Sequence, residues 1–293
     1  MPSACLKVKS FAKINLYLQI LKKRPDNYHN LKTLFARIDL FDRIILRALK
    51  TNGIKIKSLS RQIPKDATNI CFRAAALLKK EFNLNHGIEI EIQKRIPVGA
   101  GLGGGSANAA SVLLGLNRYW NLNLSKTKLL KLAARLGSDV PFFIKNVKFA
   151  LGAGRGEKIT PLPKLARLKL WLIVIYPGCQ VATALIYEKF DQFSQLTRPG
   201  SNVKLLTSEL SQKGAKISPQ ALFNSLEDVT TRVYPVVGEA KKALLDAGLD
   251  KVLMSGSGAA VFAICNNRRQ AEVLSRKIAR QHKIWKVFVS RIV

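Results

Sequence analysis

Residues 97–111 read PVGAGLGGGSANAAS, with glycines at 99, 101, 103, 104 and 105. A backbone lacking Cβ atoms at those places can enter left-handed conformations and curl until its N–H groups converge. Small residues follow, Ser106, Ala107, Asn108, Ala109 and Ala110, and an apolar helical pattern runs on to about residue 119. This predicts a helix whose positive N-terminal end stays open, which is where a phosphate group binds. Other phosphate loops do not fit. No lysine follows these glycines, as GxxxxGK[ST] requires. Gly99, Gly101 and Gly104 satisfy GxGxxG formally, but no Asp or Glu between Glu91 and Asp139 could hold a ribose. The HRD and DFG elements that accompany a protein-kinase glycine loop are absent.

Upstream of the loop, residues 88–92 alternate as IEIEI and predict a half-exposed strand. Residues 69–80 carry apolar side chains at 70, 74, 77 and 78, which predicts a helix capped by Asn69. Residues 31–48 predict strand, residues 6–21 a strand broken around Ala12 and Lys13, and Pro25-Asp26-Asn27 a turn. Downstream, a helix over 125–136 is expected to stop at Gly137. Pro161-Leu162-Pro163 is the expected boundary between domains 1–162 and 163–293. Beyond it come an apolar strand at 168–176, helices near 234–247 and 270–281, the stretch VLMSGSGAAVFAIC at 252–265, and a strand near 284–292. Strands mixed with helices in two halves indicate an α/β or α+β protein.

Composition narrows the function. The 293 residues are 47% hydrophobic, enough for two cores, so intrinsic disorder is excluded as the main state. No apolar run approaches the roughly 18 residues of a membrane helix. Lysines 7, 9 and 13 interrupt any secretory signal, so a cytoplasmic location is expected. The four cysteines (5, 71, 179 and 265) form no CxxC pair, and the three histidines form no HExxH. Reduced, mostly buried thiols are expected, and a zinc hydrolase is set aside. Forty-nine Lys and Arg against 18 Asp and Glu give a net charge of +31, which calls for polyanionic partners. The cations are scattered, and no basic run exceeds Lys22 to Arg24. Phosphorylated small molecules are therefore expected rather than specific nucleic-acid binding.

The glycine loop resembles the second motif of the GHMP kinases. SFAKINLYLQI (residues 10–20) resembles their first motif, and LMSGSGAAVF (residues 253–262) their third. KRPDNYHNLKTLF (23–35), LGSDVPFF (136–143), GRGEKITPL (154–162) and NSLED (224–228) are similar to one branch. That branch phosphorylates the 2-hydroxyl of 4-diphosphocytidyl-2-C-methyl-D-erythritol in the non-mevalonate route to isoprenoid precursors. The resemblance implies a two-domain α+β fold, with a ribosomal-protein-like N-terminal half, a ferredoxin-like C-terminal half and the active site in the cleft between. It implies ATP and Mg2+ as cofactors, a small-molecule substrate and no membrane. It names no Mg2+ ligands.

From the residues alone, Asp139 reads as the cap of the segment after it. The resemblance instead implies that it takes the proton from the attacking hydroxyl, with Lys13 as its electrostatic partner. Asn15, two residues along the strand from Lys13, and Thr183 resemble substrate-binding positions. By resemblance, Tyr28 stacks on the cytosine ring, His29 bonds its edge, and Tyr187 covers the other face. Asn69 and Lys94 match the adenine pocket. The phosphates fall to Pro97, Val98, Gly99, Ala100, Gly101, Leu102, Gly103, Gly104, Gly105, Ser106 and Ala107. Gly256, Ser257 and Gly258 would close the site. Ala182 and Ala259-Ala260 stand where the family often has Ser or Thr, which bears on individual hydrogen bonds.

Overall fold

The computed structural model describes residues 5–193, 202–212, 214 and 216–293. The described residues divide into two compact units. One takes its residues from 1–12, 40–98 and 103–146, the other from 13–39, 99–102 and 147–293. Two long strands, β1 (Leu6–Lys23) and β2 (His29–Leu49), contribute to both.

The first unit adds β3 (Ile54–Lys57), α1 (Ile70–Glu81), β4 (Gly87–Gln93), α2 (Gly104–Tyr119), α3 (Lys126–Leu136) and α4 (Val140–Lys145). Its sheet has the order β3-β4-β2-β1, with β4 parallel to β3 and antiparallel to β2. The IEIEI alternation of β4 does what its period requires. Ile88, Ile90 and Ile92 are buried, each contributing about 1.5–3 kcal/mol. The opposite face is less open than the expected half-exposed strand: Glu89 is buried and meets Lys57 at 2.8 Å, and half-buried Glu91 meets Arg47 at 2.7 Å. Helix α1 starts where Asn69 Oδ1 accepts from the Cys71 amide, and α3 where Ser125 Oγ accepts from Lys128. Helix α3 ends at Gly137, but the glycine is extended (φ 172°) rather than left-handed.

The second unit comprises β5 (Phe149–Ala153), β6 (Lys158–Pro161), β7 (Trp171–Tyr176), α5 (Thr183–Phe193), α6 (Val203–Ser211), β8 (Phe223–Asn224), α7 (Glu227–Val233), α8 (Pro235–Asp246), β9 (Val252–Met254), β10 (Val261–Cys265), α9 (Arg268–Gln281) and β11 (Lys286–Arg291), besides its shares of β1 and β2. Here β5 lies antiparallel on β2, β6 on β5, and β8 runs parallel to β1 at Tyr17 and Leu18. A separate sheet has the order β11-β7-β10-β9, antiparallel throughout. In chain order that is 4-1-3-2, the split β-α-β arrangement of ferredoxin-like folds. Every residue of β10 is buried, so its unbroken apolar run reflects a strand covered on both faces.

Two expectations change. Strand β1 does not break at Ala12 and Lys13: the Lys13 amide donates to the Leu102 carbonyl at 3.0 Å and the strand continues. The compact units also do not divide at residue 162. Pro161 ends β6 and Pro163 opens a short 3-10 turn, both within the second unit, and strands shared by the two units replace a single linker. Among the described residues no helix is long and apolar enough to cross a membrane. Among the described residues no cysteine forms a disulfide, and Cys71 and Cys265 are buried while Cys5 and Cys179 are half-buried.

Candidate active site

In the second unit the glycine loop is held by its carbonyls. Gly99 accepts from the Val181 amide, Ala100 from the Ala260 amide, and Leu102 from the Lys13 amide, each at 3.0 Å. Gly101 accepts from Ser255 Oγ at 3.0 Å, and the same hydroxyl accepts from the Asn15 amide at 3.3 Å. Three stretches far apart in sequence, around residues 13, 100 and 255, thus interlock through backbone groups. Gly101 must be glycine. Its φ is +72°, and an added Cβ would lie 2.0 Å from the Ser255 carbonyl oxygen.

Lys13 does not extend to solvent. It is 4% exposed, and its Nζ donates to Asn15 Oδ1 at 2.7 Å. Asn15 Nδ2 donates to Thr33 Oγ1, and Thr33 Oγ1 to the Tyr17 carbonyl, both at 2.7 Å. This buried chain fixes which way the amide faces and holds one donor of the ammonium. Thr33 was not among the expected residues. Its signal was a polar residue inside an apolar strand, which alone does not separate a positioning role from an exposed one.

Tyr28 is 54% exposed, with the Arg155 guanidinium 4.8 Å from its ring centroid. His29 is buried and donates from Nε2 to Asp191 Oδ1 at 2.8 Å. Lys23 Nζ holds the other carboxylate oxygen at 2.5 Å. Burial alone would raise the Asp191 carboxyl, but the Lys23 hydrogen bond and the positive charge facing it outweigh this and hold it below its usual range. His29 Nδ1 is buried with no hydrogen-bond partner among the described residues. The Tyr187 ring lies 5.6 Å from the His29 ring at 31°, and Phe190 meets it edge-on at 6.1 Å. Thr183 Oγ1 is 2.8 Å from Ser257 Oγ. Asp191 was also not expected. Thr183, Tyr187 and Asp191 are spaced i, i+4, i+8 on α5 and share one face, a pattern visible only once that helix is known.

In the first unit, α2 begins at Gly103, which has left-handed φ (66°) and offers no side-chain cap. Helices α1, α3, α6 and α9 are all capped by Asn or Ser side chains. The N–H groups of the first turn of α2 therefore receive no side-chain cap from residue 103. A Cβ on Gly104 would lie 3.1 Å from Lys94 Nζ, so that cation sits against the helix start. Lys94 is paired with buried Asp42 at 2.5 Å, whose other oxygen accepts from the amides of Arg95 and Ile96. Burial pushes the Lys94 ammonium below its ordinary range, with Asp42 acting against the shift. Lys94 also lines a cavity of about 990 Å³, together with Phe41, Ile56, Ser58 and Leu59. Asn69 caps α1 and donates to the Pro64 carbonyl at 2.6 Å, so its amide is engaged in local structure. Asp139 precedes α4 with helical backbone angles and makes no capping hydrogen bond, which removes the capping role. Pro97, Val98 and Gly103 to Ala107 also belong to this unit, with Gly105 and its open surroundings exposed. Among the described residues no group of three or more His, Cys, Asp or Glu could by itself hold a metal ion.

The GHMP kinases N terminal domain matches residues 69–146, and the GHMP kinases C terminal domain matches residues 201–284. The chain is 40% identical over 277 residues to a 4-diphosphocytidyl-2-C-methyl-D-erythritol kinase of Gloeobacter violaceus, covering 94% of this chain and 90% of that one. It is 41% identical over 260 residues to the protein of that name from Geobacillus kaustophilus, covering 88% of each. A crystal structure of 4-(cytidine 5'-diphospho)-2C-methyl-D-erythritol kinase superposes with a TM-score of 0.80 at 32% identity, over 98% of this chain and 99% of that one. The chain belongs to the 4-diphosphocytidyl-2-C-methyl-D-erythritol kinase family of GHMP kinases. A homoserine kinase from Cytophaga hutchinsonii shares the fold, with a TM-score of 0.70 at 19% identity. GHMP kinases take their phosphoryl group from ATP. The family's two-domain α+β fold accounts for the ferredoxin-like sheet of the second unit.

Proposed function

We propose that this chain transfers the γ-phosphoryl group of ATP to the 2-hydroxyl of 4-diphosphocytidyl-2-C-methyl-D-erythritol. The hydroxyl oxygen attacks the γ-phosphorus, the bond to the bridging oxygen breaks, ADP leaves, and Asp139 accepts the hydroxyl proton. A tertiary alcohol is a weak nucleophile, so a carboxylate aimed at its proton contributes about 10²–10⁴ in rate. The uncapped start of α2 and the glycine loop hold the phosphates through backbone N–H groups. Lys13, its ammonium oriented by Asn15, stabilises negative charge on the reacting oxygens.

The observation that carries the choice of substrate is the buried Nδ1 of His29, which has no hydrogen-bond partner among the described residues. With Nε2 donating to Asp191, Nδ1 of the neutral ring is an acceptor, and cytosine offers it the donor N4 amine. Tyr28, half-exposed with the Arg155 guanidinium over one face of its ring, offers the other face for stacking on the base. Tyr187 packs on the His29 ring and supplies the aromatic for the other face of the base.

Mg2+ accompanies the nucleotide. Magnesium carried on phosphates needs only one or two carboxylates besides water. When bound, the ion neutralises charge on the β- and γ-phosphates. Both substrates are charged nucleotides, which suits a cytoplasmic location and makes the basic chain a partner of small anions rather than of nucleic acid. The two family domains fall on either side of residue 162, which supports a division by descent into 1–162 and 163–293 beside the division by packing. Asp139→Asn tests the chemistry: kcat should fall roughly 10²-fold or more with little change in either KM. Near-normal kcat would remove Asp139 from the proton transfer.

A further inference from the structure

We infer that Asp191 is a positioning residue that sets the tautomer of His29 and thereby enforces cytosine over uracil, an assignment that rests on the substrate reading above. His29 has two ring nitrogens with different surroundings. Nε2 lies 2.8 Å from Asp191 Oδ1, and an acceptor-only carboxylate there requires the hydrogen to be on Nε2. In the neutral ring the lone pair is then confined to Nδ1, the atom that is buried and unpartnered among the described residues.

The carboxylate is itself held. Lys23 Nζ binds Oδ2 at 2.5 Å, so Asp191 cannot turn away or present a protonated oxygen cheaply. The ring is held in its plane by Tyr187 at 5.6 Å and by the edge contact with Phe190. Lys23, Asp191 and His29 therefore form a relay in which a surface ion pair decides the hydrogen-bonding sense of a buried atom. Facing Nδ1, the N4 amine of cytosine donates a hydrogen, whereas O4 of uracil brings a second lone pair. The selection is thus written two bonds away from the base, in a residue that does not touch it. Without Asp191 the ring can move its hydrogen to Nδ1 and accept uracil.

The test uses the full-length protein with saturating ATP, the cytidine-linked substrate and its uridine-linked analogue. Asp191→Ala should raise KM for the cytidine substrate and contract the cytidine-to-uridine ratio of kcat/KM, each roughly tenfold or more. KM for ATP should not move. Asp191→Glu, which keeps a carboxylate, should recover part of the ratio. Nitrogen-15 NMR of the labelled protein should show His29 Nδ1 without a hydrogen in the parent and with one in Asp191→Ala. If Asp191→Ala keeps the ratio and the tautomer while His29→Ala loses both the ratio and cytidine affinity, the role of Asp191 is refuted and base recognition by His29 stands. If His29→Ala leaves cytidine affinity intact, base recognition and the relay both fall.

Discussion

Asp42→Asn is the sharpest test of how the first unit holds its cation. Asp42 is fully buried and pairs with Lys94 at 2.5 Å, while its second oxygen accepts from the Arg95 and Ile96 amides. Asparagine keeps the shape and can keep those two acceptances, so the change isolates the charge. Removing one partner of a buried pair leaves the other uncompensated, which costs about 3–5 kcal/mol. That is a large share of the roughly 5–15 kcal/mol that typically holds a domain together. Urea titration at pH 7 should show the midpoint falling accordingly with the slope unchanged. The pH dependence follows from Lys94. Burial already depresses its ammonium, and without Asp42 the main opposition to that shift is gone, so the folded variant releases the proton more readily than the unfolded chain. The unfolded state then binds more protons, and stability rises with pH between the depressed folded value and the ordinary lysine value. The deficit should shrink as pH is raised toward 10, and Lys94→Met in the same background should recover most of it. A loss below about 1 kcal/mol, or a deficit indifferent to pH, would refute the account of this pair.

Gly101→Ala should cost about 2–5 kcal/mol, combining left-handed strain with overpacking against the Ser255 carbonyl, and should abolish or severely reduce turnover in whatever folds. A variant of parent stability and activity would show that the close approach is not needed; thermal melts and kinase assays read both. Burial pushes the Cys71 thiol up to about 12 and the Cys265 thiol to about 11. Both should therefore resist a thiol reagent at pH 8 until the chain is unfolded, and prompt labelling of either in the native protein would contradict the burial.

Much of this was legible in the residues. The IEIEI alternation, the Asn69 cap and the glycine-started α2 each follow from short-range rules, because the deciding partners lie within a few residues. Lys13 was legible only through its motif. A lysine in an apolar strand reads as a break or a surface residue, and what buries it is an amide two residues on together with a hydroxyl at residue 33. Lys94 and Asp42 are 52 residues apart, and Asp191 meets a histidine early in the chain through a helix with weak sequence signals. The proline pair at 161 and 163 suggested a linker, but strands β1 and β2 had already carried the chain into both units. Pairings of this kind depend on which strands lie side by side, and nothing local encodes that.

The central claim is a phosphoryl transfer to one particular hydroxyl, so the product itself is the most direct measurement. The purified protein would be incubated with ATP, Mg2+ and 4-diphosphocytidyl-2-C-methyl-D-erythritol and followed by phosphorus-31 NMR. The account predicts a new phosphomonoester resonance without coupling to a proton on its own carbon, as a tertiary C2 demands, growing in step with ADP. ADP release without that resonance, or a phosphomonoester coupled to a carbon-bound proton, would contradict it.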